Sequence, residues 1–310
     1  MIEDCKDLVT QVAPEFLAHN SITTIGVGYE IYHGRPTNNL CLQYTLIPDA
    51  ADPVGLPASL KTRNNLEIVV QLLRRPKRNA LTKIAEETLR LRQQRLDMIA
   101  PGASISSLEG NPGTLGAIVF DRISKEPMML SCQHVLKENE SIFQPSRNVF
   151  DWDNLNLCGK TSHSYLGIHG DAAVAKIIKR EFTTEILGLN ITPKQHAMAQ
   201  LGDLVVKSGA SSGITYGIVT RVGVIANLQY PKISSLNISC FEITANAHKQ
   251  SLETPLCLDG DSGSLWMLED SEAAVGIHFA GECISEFGSS FALACNTYDV
   301  MRQLGVEFRE

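Results

Sequence analysis

Gly260-Asp261-Ser262-Gly263-Ser264-Leu265-Trp266-Met267 is a turn of small polar residues that runs straight into an apolar strand. A serine in such a turn is a candidate nucleophile, but its hydroxyl is weak and needs a base beside it. Glycine on either side lets the backbone bend sharply, so that the N–H groups of Gly260 and Ser262 can face an oxygen gaining negative charge. The bland alternative is a solvated turn ahead of a strand. The nucleophile elbow Gly-x-Ser-x-Gly is absent, which argues against the acyl hydrolases built on that motif.

Short strand-like runs recur around this turn: Thr114–Phe120, Met128–Cys132, Ala172–Ile178, Leu204–Lys207, Ile214–Val224, Leu236–Thr244, Ala273–Phe279 and Ser290–Ala294. Short strands separated by Gly-rich turns predict an all-β sandwich or barrel from residue 106 to 310. Thr297–Leu304 reads as a terminal helix. Upstream, Leu8, Val12 and Phe16 share a helix face that Pro14 is expected to kink or split. Ile25 to Ile31 and Leu40 to Leu46 alternate as a hairpin, and Leu66 to Leu72 as a third strand. Asn79–Ile99 lacks Gly and Pro and predicts a bridging helix ended by Pro101-Gly102. The expectation is an α+β unit over residues 1–105 followed by an all-β unit.

Two more segments carry chemistry. Met128-Met129-Leu130-Ser131-Cys132-Gln133-His134 is an apolar strand running into a histidine, a setting that none of His19, His33, His163, His169, His196 and His248 shares. In Gly170-Asp171-Ala172-Ala173-Val174-Ala175 a carboxylate opens an apolar strand between small residues. Buried there it would need a partner, and a histidine Nδ1–H would serve. Asp153, in Phe150-Asp151-Trp152-Asp153, is the competing acid.

The order His134, Asp171, Ser262 resembles the trypsin-like (chymotrypsin-fold) serine peptidases, a double β-barrel. The resemblance spans roughly Gly113 to Leu304 and includes Lys207-Ser208-Gly209-Ala210-Ser211-Ser212-Gly213, similar to a hairpin of bacterial members. It implies a serine endopeptidase working through an acyl-enzyme on a protein or peptide substrate, with Gly260 and Ser262 as oxyanion donors and no metal or cofactor. It further implies a substrate pocket with Leu256 at its floor and His278, Phe279 and Gly281 on its lining strand. Leucine supplies no negative charge for Lys or Arg, and glutamate-specific bacterial relatives carry histidine in a similar Gly-Ile-His run. The N-terminal strand and hairpin are similar to a domain of the bacterial and plant Narrow leaf-type group, some of whose bacterial members are linked to defence or stress systems. A catalytically silent, peptidase-like binding module is the alternative.

Net charge is −7 and gives no bulk attraction to nucleic acid. The basic cluster Arg74-Arg75-Pro76-Lys77-Arg78, with Arg90, Arg92 and Arg95 beyond it, reads as a solvated helix face, with docking of an acidic partner or nucleic acid as the alternative. No apolar run reaches the roughly 18 residues that span a bilayer. The acidic N-terminus is a poor secretory signal, and eight cysteines without a C-x-x-C pair read as buried thiols. The expected location is cytoplasmic. A regulatory partner protein and a homo-oligomer are both compatible with this reading.

Overall fold

The computed structural model describes the chain except residues 20, 33–34, 48–49, 54, 75–91, 147–153, 231–232, 251–253, 270, 283–290 and 310. It is built mostly of strands, arranged as two β half-barrels.

The first half-barrel is an eight-stranded sheet. Its order is Val306–Glu307, Ala117–Asp121, Pro127–Ser131, Gly170–Ile177, Leu157–Gly167, Ser141–Phe143, Ser104–Ser107, Gly113–Thr114. Gly170–Ile177 lies between Pro127–Ser131 and Leu157–Gly167, and Ala173 pairs with Ser131. This register sets Asp171, two residues earlier, beside the chain leaving Ser131 toward His134. Leu157–Gly167 is a strand that sequence patterning does not reveal. Its centre, Lys160-Thr161-Ser162-His163-Ser164, is polar, and backbone pairing with both neighbours holds it.

The second half-barrel runs Leu204–Gly209, Leu265–Leu268, Ala273–Glu282, Phe291–Asn296, Ile233–Ala245 and Gly213–Tyr230, and the last strand pairs back with the first to close it. Gly213–Tyr230 is 18 residues long, far more than closure needs. Its beginning closes the barrel, while Arg221 to Ala226 pairs with the N-terminal strand Ile22–Tyr32. Arg35–Leu46, Glu67–Arg74 and Ser59–Lys61 continue the same sheet outward.

The hairpin and third strand form as expected, yet the sheet runs unbroken from them into the second half-barrel. One apolar cluster joins Leu8 and Val9 of the first helix, Ile25, Leu42 and Tyr44 of the hairpin, and Val205, Val219 and Trp266 of the barrel. Inside it, Arg221 pairs with Glu242 at 3.1 Å, both about 1 % exposed, and donates to Thr24 Oγ1, Thr45 Oγ1 and the Gln43 carbonyl. A buried charge pair that also hydrogen-bonds the N-terminal hairpin ties that hairpin to the barrel.

Two helix expectations need correction. Ile2–Phe16 is one helix rather than two short pieces, with Pro14 in its last turn. The helix expected over 79–99 falls largely on residues outside those described, and its final part is not helical. Met98–Ile99 is a short strand parallel to Glu181–Phe182. Arg92 donates to Ser208 Oγ and to the Gly102 and Leu187 carbonyls, and Gln144 Oε1 accepts from the Leu96 N–H. The Arg92 side chain is thus tied to neighbouring segments and is not part of a solvated face. The terminal helix Thr297–Leu304 is as expected and ends at Gly305 in the left-handed conformation.

Candidate active site

Asp171 is fully buried at the start of its strand. Its Oδ1 accepts from the backbone N–H of Gln133 at 2.7 Å and of His134 at 3.3 Å. Its Oδ2 faces His134 Nδ1 at 2.6 Å and accepts from the Tyr230 hydroxyl at 2.8 Å. Burial pushes this carboxyl up, but the facing imidazole, the two side-chain hydrogen bonds and the His134 backbone outweigh it and hold it below the usual range. An ionised Asp171 fixes the ring so that Nδ1 carries the proton and Nε2 is left as the base.

Ser262 is half-buried, in a turn whose backbone is held at several points. Gly260 and Gly263 have φ of +92° and +95°, values that L side chains rarely adopt. At Gly263 a Cβ would also lie 2.0 Å from Ser131 Oγ and 2.5 Å from the Thr114 carbonyl. Thr114, from the first half-barrel, donates its N–H to the Ser262 carbonyl at 2.8 Å and its hydroxyl to the Gly260 carbonyl at 2.7 Å. Ser262 and Val135, the residue after His134, meet at Gly113, where an added Cβ would lie 2.8 Å from the Ser262 carbonyl oxygen and 2.3 Å from Val135 Cγ2. Serine and histidine segments therefore lie side by side across the two half-barrels. Among the described residues no hydrogen bond joins Ser262 Oγ to the imidazole, a contact that in such sites often tightens only on substrate binding. The N–H groups of Gly260 and Ser262 likewise donate to nothing within the described chain and are available to an oxyanion.

Asp261, between these two donors, points the other way. It pairs with Lys207 at 2.8 Å, both side chains being fully buried. Its Oδ1 accepts from the N–H groups of Ser211 and Ser212, and its Oδ2 from that of Leu258. Burial raises this carboxyl, and Lys207 with the surrounding donors more than reverses the effect. Lys207 thus supplies from within the chain the charge that holds the turn in shape.

Asp259 is the opposite case. Burial first, and the charge of Asp261 second, raise its carboxyl to about 6 from an ordinary value of 3.8. Ionising it costs the folded state more than the unfolded one, so stability falls as pH rises through roughly 4 to 6. Asp259→Asn should melt higher than the wild type at pH 7.5 and together with it below pH 4. An equal difference at both pH values would assign the effect to something other than charge.

The residues expected to line a pocket lie together in part. A Cβ at Gly281 would fall 2.3 Å from Cys257 Sγ and 3.1 Å from His278 Cε1. The His278 ring is edge-on to Trp266, with centroids 6.5 Å apart. Leu256 and Phe279 are buried in apolar clusters. Asp153 lies outside the described residues. Cys132 Sγ, His134 and Asp171 have ligand atoms within 4.8 Å of one another, but they suit a hydrogen-bonded pair better than a metal. The thiol is held well above its ordinary pKa, by burial first, and donates to the His278 carbonyl, while His134 Nδ1 and Asp171 are engaged with each other.

The architecture is similar to that of solved bacterial proteases. A Nocardiopsis protease shares 15% identity at a TM-score of 0.51, over 68% of this chain and 99% of that one. Thermobifida fusca protease A gives the same values. A serine protease described as glutamic acid specific, with a histidine triad in substrate binding, shares 16% identity at 0.52, over 67% and 98%. The fold is the chymotrypsin fold. No family model and no curated protein matches the sequence.

Sequence reasoning left Thr114, Lys207 and Tyr230 without a role. Lys207 stood in a quoted motif, so its partnership with an acid was open to inference. Thr114 and Tyr230 look like ordinary strand residues and carry no local signal.

Proposed function

We propose that the chain is a serine endopeptidase in which Ser262 is the nucleophile, His134 the general base and Asp171 the group that orients it. The observation that carries this reading is the fully buried Asp171 bound to His134 Nδ1 beside a serine turn with two undirected N–H groups. His134 Nε2 takes the Ser262 proton as Oγ attacks the peptide carbonyl. Asp171 stabilises the imidazolium, and the N–H groups of Gly260 and Ser262 hold the oxyanion. The imidazolium then protonates the leaving amine as the C–N bond breaks, and a water deprotonated by His134 releases the acyl group. No helix among the described residues is long and apolar enough to cross a membrane. A cytoplasmic location fits the seven buried cysteines with free thiols among the described residues, Cys132 beside the catalytic histidine included. A fluorophosphonate probe should label Ser262 in the wild type and nothing in Ser262→Ala. Absence of label from folded wild type would leave the silent binding module as the better reading.

Substrate choice follows the same site. Leu256 and Cys257, which we assign to the pocket, carry no negative charge for a basic side chain. His278 is a polar residue of the strand and can donate to a carboxylate, more strongly when protonated. The glutamic acid specificity in the description of one structural neighbour supports an acidic side chain before the cut. Cleavage of a peptide library should show Glu or Asp there, and His278→Ala should flatten that preference. Preference for Lys or Arg would overturn the pocket assignment.

A further inference from the structure

The long hairpin of Gly213–Tyr230 and Ile233–Ala245 reaches past the second half-barrel onto the first. Leu228 and Leu236 pack against the core shared by both half-barrels. The Ser239 N–H donates to the Ile168 carbonyl at 2.8 Å, in the turn that leads to Asp171. On its other side the hairpin is paired, through Arg221 to Ala226, with the N-terminal strand. Tyr230 is the last paired residue of its strand, opposite Ile233. Its hydroxyl donates to Asp171 Oδ2, the oxygen that also faces His134 Nδ1.

We propose that Tyr230 is a positioning residue of the active site: it donates the fourth hydrogen bond to Asp171 and so fixes the carboxylate, and through it the ring of His134. This inference rests on the peptidase reading. Ionised Asp171 is an acceptor only, so four donors converge on its two oxygens: two backbone N–H groups on Oδ1, the imidazole and the phenol on Oδ2. Three of the four come from Gln133 and His134. Tyr230 is the one that comes from the other half-barrel, and it anchors the oxygen that the histidine uses. The phenol stays a donor at every relevant pH, because burial first, then the Asp171 charge, push its ionisation far above the usual range. The other titratable groups facing this cluster are the Cys132 and Cys295 thiols, both held protonated by burial. The N-terminal hairpin braces the strand that carries Tyr230, which gives that region a part in the site without contributing a reacting group.

Tyr230→Phe keeps the packed ring and removes the hydroxyl. In it kcat should fall about ten- to a hundredfold, the loss expected of one hydrogen bond to a charged group, with KM within about twofold and the melting temperature lowered by only a few degrees. Oδ2 then carries more negative charge toward the imidazole, so the acid limb of the kcat/KM profile should move up by about half a pH unit. A second measurement does not depend on turnover. In the Ser262→Ala background, Tyr230→Phe should shift the downfield proton resonance of His134 Nδ1. An unmoved acid limb or an unmoved resonance overturns the proposal. If the wild type itself fails to react with a fluorophosphonate, the peptidase reading falls, and the resonance alone then decides whether Tyr230 orders the Asp171–His134 pair.

Discussion

Ser262→Ala should abolish peptide cleavage while leaving the melting temperature where it is. The hydroxyl makes no hydrogen bond among the described residues, so its removal strands no buried partner. His134→Ala should be as severe, and both losses should be on the order of 10⁴- to 10⁶-fold, the magnitude measured for serine-protease triads. Asp171→Asn is the sharper experiment. Its amide nitrogen would face donors from Gln133, His134 or Tyr230 whichever way it turned. The ring would also lose the charge that sets its tautomer, so a loss of about 10⁴-fold is expected. Asp153→Asn should be close to neutral. Steady-state kinetics with a peptide substrate, beside thermal melts of each variant, checks the set. Full activity in Asp171→Asn with loss in Asp153→Asn would move the acid of the triad.

The second large effect is expected at Lys207. Lys207→Met keeps the length and apolar stem of the side chain but leaves Asp261 charged, fully buried and without its cation. Breaking one side of a buried pair costs about 3–5 kcal/mol, which for a chain of this size lowers Tm by roughly 10 °C. The effect should reach chemistry too, because Asp261 holds the N–H groups of Leu258, Ser211 and Ser212 and lies between the two proposed oxyanion donors. Fluorophosphonate labelling of Ser262 should therefore be strongly slowed even well below the melting temperature. Adding Asp261→Asn to Lys207→Met removes the stranded charge while keeping a carbonyl acceptor, and should recover much of the lost stability. Wild-type melting and labelling in Lys207→Met would show that the ion pair does not hold the turn.

What was legible in the sequence is what local chemistry encodes. The turn Gly260–Ser264 needs glycine where φ is positive, and Gly260 and Gly263 have that φ. Apolar runs give strands their positions to within a few residues, and Asn296 to Gly305 gives the terminal helix its limits. His134 and Asp171 stood out because each ends or opens an apolar strand, and the antiparallel register between those strands brings them to 2.6 Å. The polar strand Leu157–Gly167 was not legible, since backbone pairing with two neighbours needs no side-chain pattern. The partners Lys207–Asp261, Thr114–Gly260 and Tyr230–Asp171 lie 54, 146 and 59 residues apart. Each meets only when two separately patterned segments have packed, so no window of sequence contains the pair. The same holds for the N-terminal strand. Its alternation says that it joins a sheet, but which sheet was decided by the free length of Gly213–Tyr230 and by Arg221, a buried cation that donates to Thr24, Thr45 and Gln43 of the N-terminal hairpin.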